Sequence, residues 1–434
     1  MKAAYHTLGC KVNQYDTEAM RELFEQAGYE TVPFEAEADV YVINTCTVTG
    51  VGDKKSLQMI RRCAREHPAS GIIVTGCLAQ RSPEKVKLPG VRLILGTQRR
   101  GEVVELYEAA VREGVQRVAV DSLKAARFES LAITSLSEHV RAYMKIQEGC
   151  NRYCSYCIIP YVRGPIRSRA IADIRAEAER LAAAGYREIV LTGIHLTSYG
   201  QDLRDGTQLT DAIRAVHEVP GIRRIRLGSL EPVIVTEAFV RELEAMPKVC
   251  RQFHLALQSG SDAILARMRR RYTAAEFLAA CDLLRSAFPD CALTTDIVTG
   301  FPGETQADFE ETERVCADVG FSRMHVFPYS EREGTAAATM DGALPRAVRE
   351  ARAVQLIRLG KQLEEHALRA FAGRAVEILV ERTENGVSTG YTGAYMRASL
   401  PGDYREGTLV GARVTGIQQG GLLCEPLDKQ EEER

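Results

Sequence analysis

Three cysteines lie close together in the segment EGCNRYCSYCIIPYVRG, at Cys150, Cys154 and Cys157. A closed structural zinc site takes four protein ligands, so three thiols leave such a site one ligand short. Thiolates also hold iron–sulfur clusters. A four-iron cluster bound by three thiolates keeps one iron with an open coordination position. We therefore interpret these cysteines as cluster ligands, and the missing ligand as the working position of the site.

The location of the segment supports this interpretation. The three cysteines directly follow the predicted strand RAYMKIQE, at the carboxyl end of the first strand of a predicted parallel barrel. Active sites of parallel barrels lie at that end. Two alternatives remain: a zinc ion completed by a distant residue, and three cysteines that only pack.

A second trio consists of Cys10, Cys46 and Cys77, in the segments LGC, INTC and TGC. Each follows a predicted strand, and parallel strands have their carboxyl ends at one edge of a sheet, where open α/β sheets bind ligands. We expect the three to converge and to hold a second cluster. The other six cysteines are assigned to packing: Cys63, Cys250, Cys281, Cys291, Cys316 and Cys424.

The elements that must position these cysteines follow from hydrophobic patterning. Up to about residue 130, short apolar runs alternate with helical patterns, which predicts a doubly wound parallel sheet. After a linker, DSLKAARFESLAITSLSEHV, six strand–helix units predict a partial (β/α)6 barrel, since a closed TIM barrel has eight. From Arg374, alternating strands and Gly-rich turns predict a small all-β barrel. The fold class is α/β, with expected domains at 1–130, 136–368 and 370–430 and a polar tail, DKQEEER.

Composition excludes several classes of protein. Of 434 residues, 45% are hydrophobic and 26% charged, as in ordinary soluble domains. The start of the chain lacks an apolar signal core and no window approaches a membrane span, so we expect a cytoplasmic protein that does not bind membranes. Twelve cysteines in a reducing compartment favour metal ligands over disulfides. A net charge of −2 excludes a strongly basic nucleic-acid-coating protein, so any RNA contact must be local.

Seven motifs together resemble the radical S-adenosylmethionine (SAM) methylthiotransferases over essentially the whole chain. These are TLGCKVNQYDTE, VINTCTVT, VTGCLAQ, EGCNRYCSYCIIPYVRG, LTGIHLTSYGQD, HLALQSGSD and TDIVTGFPGE. The first motif looks most like the branch that acts on N6-threonylcarbamoyladenosine at position 37 of tRNA, next to the anticodon. The resemblance implies two [4Fe-4S] clusters, with SAM as both methyl donor and radical source.

The resemblance also implies an order of events. A methyl group goes to sulfur at the cluster held by Cys10, Cys46 and Cys77, and the other cluster generates a deoxyadenosyl radical that removes hydrogen from C2 of the adenine. Formation of the carbon–sulfur bond follows, which gives a methylthio product. The implied partners are the tRNA anticodon stem-loop, an electron donor of the flavodoxin or ferredoxin type, and a sulfur source.

Further site residues are predicted from their positions after strands and from the resemblance. Tyr156 matches the aromatic residue of the three-cysteine signature. The remaining candidates for cofactor binding are Gly193, Ser229, Glu231, Gln258, Gly300, Pro302 and Gly303. The candidates for substrate binding are Arg163, Arg167, Arg169, His195, Tyr199 and Asp202. For each of them a purely structural role remains open.

The C-terminal barrel resembles the small RNA-binding domain, of the TRAM type, that many RNA-modifying enzymes carry. It contains five arginines and no lysine against seven carboxylates between Arg374 and Asp428, so it offers little net attraction for phosphates.

Two alternatives to this function remain open. One is an enzyme of the same kind that methylthiolates isopentenyladenosine in tRNA or a ribosomal protein side chain. The other is a non-catalytic RNA-binding protein whose two α/β units are held together by zinc.

Overall fold

The computed structural model describes residues 1–131, 133–134, 140–418 and 420–427. Parts of the predicted linker (residues 132 and 135–139) and the polar tail from residue 428 lie outside the described residues. In the described ranges no helix combines the length and the apolar character that crossing a membrane requires. The domain limits inferred from the sequence stay a prediction.

The N-terminal unit, residues 1–119, is built on one six-stranded parallel sheet. Its strands are β1 (Lys2–Thr7), β2 (Glu30–Thr31), β3 (Val40–Thr45), β4 (Gly71–Gly76), β5 (Val91–Leu95) and β6 (Arg117–Ala119). Its helices are α1 (Lys11–Gln26), α2 (Gly50–Glu66), α3 (Cys77–Arg81) and α4 (Val103–Glu113). The strand order is β2-β1-β3-β4-β5-β6.

Helices cover both faces of this sheet. Side chains of α1 and α4 pack on one face, around Phe24 and Tyr107, and those of α2 and α3 pack on the other, around Ile60 and Leu78. Every residue of β3 and β4 is buried, as expected of central strands covered on both sides. The predicted doubly wound sheet is confirmed.

The central unit, residues 140–345, carries six parallel strands and the helices that connect them. The strands are β7 (Ala142–Glu148), β8 (Arg167–Ser168), β9 (Glu188–Gly193), β10 (Arg224–Leu227), β11 (Gln252–His254), β12 (Ala292–Thr299) and β13 (Arg323–Pro328), of which β8 is the antiparallel exception. The helices are α5 (Ile159–Arg163), α6 (Ile171–Ala183), α7 (Leu209–His217), α8 (Glu237–Glu244), α9 (Asp262–Arg267), α10 (Ala274–Ala287) and α11 (Gln306–Val319).

These strands form an open, partial barrel. One sheet has the order β10-β9-β7-β8 and the other β11-β12-β13, and single parallel bridges, Ile225 to Val249 and Leu230 to Leu255, connect them. Among the described residues β7 and β13 do not pair with each other. The predicted partial barrel is therefore confirmed, whereas the short strand β8, which pairs with the end of β7, was not foreseen from the sequence.

Helix α12 (Arg346–Arg369) leads into a closed five-stranded barrel, as predicted. Its strands are β14 (Ala375–Glu384), β15 (Val387–Thr392), β16 (Arg397–Pro401), β17 (Leu409–Gln418) and β18 (Gly421–Pro426), in the order β14-β15-β16-β18-β17. Apolar side chains such as Ile378, Leu400 and Val414 fill its interior.

The C-terminal barrel docks against the amino ends of the central strands. Arg226 donates to the backbone carbonyls of Thr392 (3.2 Å) and Gly393 (3.1 Å), and its guanidinium lies 4.5 Å from the centre of the Tyr395 ring. Arg224, the first residue of β10, donates to Glu377 over 3.0 Å. The barrel thus covers the edge opposite to the one where the central strands end.

Candidate active site

The cysteines of the first trio follow three neighbouring strands. Cys10 caps the start of α1 shortly after β1, Cys46 directly follows β3, and Cys77 begins α3 directly after β4. Because these strands are adjacent and parallel, their carboxyl ends bring the three thiols to one edge of the sheet. We name Cys10, Cys46 and Cys77 the N-terminal trio.

The approach of the chain to this trio depends on glycine. Gly9 has φ +107°, and a Cβ there would lie 3.1 Å from the Cys46 sulfur. Gly76, just before Cys77, has φ +93°, and a Cβ there would lie 2.5 Å from the Thr45 carbonyl oxygen. Only glycine adopts such conformations without strain while leaving room for this close approach.

Burial raises the pKa of two thiols of the N-terminal trio, Cys46 and Cys77. It raises the pKa of Cys77 to about 11; the Arg163 charge opposes this rise, and the nearby Cys10 and Cys46 thiols add to it. Metal binding requires thiolates, so iron must displace protons here.

The second trio lies on the loop between β7 and α5. Cys150 N–H donates to the Gly164 carbonyl (3.0 Å), and Cys157 N–H donates to the Cys154 carbonyl (3.0 Å), which folds the loop tightly. Burial raises the pKa of Cys150 to about 11 and that of Cys157 to about 12, and the neighbouring thiols add to both. We name Cys150, Cys154 and Cys157 the central trio.

One buried arginine connects the two trios. Arg163, at the end of α5, donates from Nε to the Cys77 sulfur over 3.3 Å. Its Nη1 pairs with Asp16 of α1 (2.9 Å) and with Glu148, and its Nη2 donates to Asn13. Glu148 stands two residues before Cys150. Arg163 therefore contacts both Cys77 and the residue pair that leads into the central trio, through the Glu148 carboxylate.

Arg163 belongs to a larger buried charge network between the N-terminal and central units. Lys145 pairs with Asp16 and with Glu148 (3.1 Å), and Arg100 pairs with Asp16 (3.0 Å). Burial alone would raise the pKa of the Asp16 and Glu148 carboxyls, but the surrounding cations hold both pKa values below their usual range. The network keeps both carboxylates charged at the junction.

Glu231 is the centre of a second polar cluster, beside the central trio. Its carboxylate lies 2.6 Å from Arg152 Nη2, 3.0 Å from Arg270 Nη2 and 3.1 Å from His195 Nε2. Burial alone would raise the Glu231 pKa, but His195 and the two arginines lower it to about 2. Arg270 also donates to the Cys154 sulfur over 3.4 Å. Each trio thus has one arginine side chain that donates a hydrogen bond to one of its sulfurs.

Some of the predicted cofactor residues lie around the loop at Gly300–Gly303, and the others follow different strands of the barrel. Tyr156 is largely enclosed, and its ring packs edge-on against Phe301 at 6.2 Å, so the segment that carries the central trio contacts the loop at Gly300–Gly303. Gly300 and Gly303 have φ +69° and +86° and lie against Arg349 and Arg267. The Pro302 carbonyl accepts a hydrogen bond from Arg267. After the other strands, Gly193 lies against Gln147, and Gln258 is buried with a φ of +66°. Ser229 is exposed.

The predicted substrate residues mostly contact other protein groups. Arg169 pairs with Glu177 (2.8 Å), and the Tyr199 hydroxyl donates to the Arg169 carbonyl (2.6 Å). Arg167 is buried 3.9 Å from Glu148, and Asp202 accepts two hydrogen bonds from Ser168. His195 alone of this set stands beside the central trio, through Glu231. Contact of these residues with substrate stays a prediction.

Sequence reasoning missed the acidic and basic partners at the junction. The available signal was Asn13, Asp16 and Thr17, which recur at helical spacing and are buried on α1. The pairing of Arg152 and Arg270 with Glu231 was not predicted either, because Glu231 is distant in sequence from Arg152, which lies within the cysteine loop.

His254, Asp296 and His325 form another group that sequence reasoning missed. Within the described part of the chain they alone bring three metal-ligand atoms of His, Cys, Asp or Glu within 4.8 Å of one another. Burial alone would raise the Asp296 pKa, but hydrogen bonds from the two histidines lower it. These bonds account for the geometry of the group.

A partial parallel barrel with three cysteines after its first strand defines the radical SAM class. The family model described as Radical SAM superfamily matches residues 144–316, and the model described as Uncharacterized protein family UPF0004 matches residues 2–96. A solved structure of TsrM, a radical SAM methyltransferase from Kitasatospora setae, shares the fold, with a TM-score of 0.58 and 16% identity over 78% of this chain and 74% of TsrM.

Two curated relatives match almost the full chain. The threonylcarbamoyladenosine tRNA methylthiotransferase MtaB of Bacillus subtilis is 42% identical over 92% of this chain and 90% of its own length. The tRNA-2-methylthio-N(6)-dimethylallyladenosine synthase of Moorella thermoacetica is 37% identical over 97% of both chains. The chain belongs to the radical SAM methylthiotransferase family.

Proposed function

We propose that this protein attaches a methylthio group to C2 of N6-threonylcarbamoyladenosine at position 37 of tRNA. The observation that carries the proposal is the pair of cysteine trios, one at the carboxyl edge of each parallel sheet, connected through Arg163. Relatives named for threonylcarbamoyladenosine are 35–42% identical to this chain and those named for dimethylallyladenosine are 36–38% identical, so the two ranges overlap. Support for the first substrate comes from the 42% identity to the Bacillus subtilis protein and from the motif TLGCKVNQYDTE.

The residues present fit two [4Fe-4S] clusters. Within the described ranges each trio offers three thiols and no fourth, which suits a cluster with one open iron better than a closed zinc site. Arg163 and Arg270 place a positive charge and a hydrogen-bond donor on one sulfur of each trio, which offsets the negative charge of bound thiolates. When bound, the clusters and SAM supply the radical, the sulfur and the methyl group.

The protein's own groups position this chemistry and shield it. The Arg163 network fixes the N-terminal trio relative to the central trio, and the burial of Asp16 and Glu148 keeps bulk water out of that junction. Glu231 holds Arg152, Arg270 and His195 beside the central trio. The ring of Tyr156 packs on Phe301 and so holds the cysteine loop against the loop at Gly300–Gly303.

The reaction needs partners that the chain does not itself provide. We propose that a flavodoxin- or ferredoxin-type protein supplies electrons and that a separate donor replaces the sulfur that leaves the cluster in each product. A tRNA substrate and oxygen-sensitive clusters both fit a reaction in the cytoplasm.

The test uses anaerobic protein reconstituted with iron and sulfide. With SAM and reductant it should add a methylthio mass to threonylcarbamoyladenosine in tRNA, as measured by mass spectrometry. Changing any cysteine of the N-terminal trio to alanine should abolish the product while 5′-deoxyadenosine still forms. The same change in the central trio should abolish both. The matched control is Cys63→Ala, a buried packing cysteine on α2, which should keep both products.

Two outcomes would contradict the proposal in different ways. A methylthio product on isopentenyladenosine, with none on threonylcarbamoyladenosine, would show that isopentenyladenosine is the substrate. Neither product from a preparation with two intact clusters would remove the enzymatic assignment.

A further inference from the structure

The outward face of α2 carries a stripe of exposed cations. Lys54, Arg61 and Arg65 line one side of the helix, and with Gln58 they recur at the three- and four-residue spacing that places side chains on one helix face. The opposite face, with Ser56, Ile60 and Cys63, is buried against the sheet. We name Lys54, Arg61 and Arg65 the α2 stripe.

Most of this charge is not neutralised locally. The helix contains five cations and two carboxylates. One carboxylate, Asp53, pairs with Arg332 of the central unit. The other, Glu66, pairs with Arg62 (2.9 Å) and, over a longer distance, with Arg65 of the stripe (3.4 Å). Arg62 also shares a hollow with Glu35, so it is not part of the stripe. Within the described part of the chain, Lys54, Lys55 and Arg61 form no ion pair.

The stripe begins next to the candidate active site. Helix α2 starts at Gly50, four residues after Cys46. Asp53 in its first turn accepts hydrogen bonds from Arg332 at 2.7 and 2.8 Å, which fixes this end of the helix to the central unit. With a rise of 1.5 Å per residue, the stripe extends about 16 Å from Lys54 to Arg65. It therefore reaches from the trio outward over several nucleotides' length.

We infer that the α2 stripe binds the phosphate backbone of the tRNA arm next to the modified nucleotide, an inference that rests on the proposed function. The chain as a whole has a net charge of −2, so phosphate attraction must come from local surpluses such as this one. The C-terminal barrel offers no surplus, and its Tyr391 and Tyr395 rings are engaged by Arg141 and Arg226. Arg163 and Arg169 are buried and paired with carboxylates.

The test measures binding of a fluorescent anticodon stem-loop RNA to the anaerobic, cluster-loaded protein across a series of KCl concentrations. The variant is Lys54→Gln/Arg61→Gln/Arg65→Gln, which keeps good helix formers on the exposed face. Losing three phosphate contacts should weaken binding about tenfold or more at low salt and flatten the slope of log Kd against log [KCl] by about two units. Formation of 5′-deoxyadenosine without RNA should not change, because the stripe does not contact the trios.

The matched control removes the same total charge elsewhere. Arg175→Gln/Arg241→Gln/Arg314→Gln changes three exposed arginines that are dispersed over α6, α8 and α11. If the wild-type protein binds the RNA and the stripe variant binds no worse than this control, the inference is wrong and the proposed function stands. If the wild-type protein does not bind tRNA at all, the proposed function and the inference both fail.

Discussion

At the scale of single residues, the most consequential side chain is Arg163. It is fully buried and contacts Cys77, Asp16, Glu148 and Asn13 at once. The sequence placed it after the central trio but could not reveal these partners, because Asp16 precedes it by 147 residues. A buried guanidinium of this kind positions other groups. Its removal leaves the Asp16 and Glu148 carboxylates with only Lys145 and Arg100 as strong buried partners.

Arg163→Gln should lower the free energy of unfolding by about 3 kcal/mol, because Asp16 and Glu148 then lose a buried cation. Chemical denaturation followed by circular dichroism measures this change. The control, Arg175→Gln, removes an exposed arginine and should change stability by less than about 0.5 kcal/mol. Equal stability of the two variants would show that the network does not hold the junction together.

At the scale of elements, the turn between β4 and α3 sets the position of Cys77. Gly76 at its centre has φ +93° and ψ −161°. A side chain there would clash with Asn44 and approach the Thr45 carbonyl oxygen, both in the neighbouring strand or at its end. The close packing of β3 against β4 and the position of the thiol therefore depend on the same residue.

Gly76→Ala should destabilise the protein by about 3 kcal/mol through backbone strain and steric clash. Because Cys77 would shift, reconstituted protein should also bind about half of the wild-type iron, as measured by chemical analysis. Gly114→Ala is the matched control, since Gly114 has φ +69° but no atom within 4 Å of the place that an added methyl group would occupy. This control should lower the free energy of unfolding by about 1 kcal/mol and leave the iron content unchanged. Full iron content in Gly76→Ala would contradict this account.

The elements also show how far the sequence could be read. Alternating apolar runs predicted both parallel sheets, and the placement of Cys10, Cys46 and Cys77 after strands predicted their convergence. That convergence follows from strand direction alone, so local patterns suffice. The partners of Arg169 and Tyr199 could not be predicted, because a position after a strand does not reveal whether a side chain turns to the cavity or to a neighbouring element. The sequence predicted that the segment carrying the α2 stripe is helical. It could not predict that Lys54, Arg61 and Arg65 are exposed, because that depends on which face of the helix packs on the sheet.

At the scale of the whole molecule, the C-terminal barrel is held by cations from the amino ends of central strands. Arg141 and Arg226 lie over the stacked rings of Tyr391 and Tyr395. Desolvated contacts of this kind contribute about 2 kcal/mol each. The barrel is consequently docked at a fixed site, at the amino ends of the central strands.

Tyr395→Ala should weaken this docking while the barrel interior stays intact, because the ring lies at the interface and outside the barrel core. Limited trypsin digestion should then cut faster near Arg369 and Arg374, as measured by the rate at which the barrel fragment appears. Tyr404→Ala, which removes a tyrosine that packs against the barrel core, should instead lower the melting temperature of the barrel. An unchanged digestion rate in Tyr395→Ala would show that other contacts hold the barrel.

The charge network at the junction also constrains how this chain can evolve. Asp16 and Arg100 come from the N-terminal unit, and Lys145, Glu148 and Arg163 from the central unit. A recombination event in the intervening segment that joined either unit to a foreign partner would leave several buried ions uncompensated. The two units must therefore be inherited as a pair, and exchange of one for another is possible only if all five charged residues travel together or are replaced together.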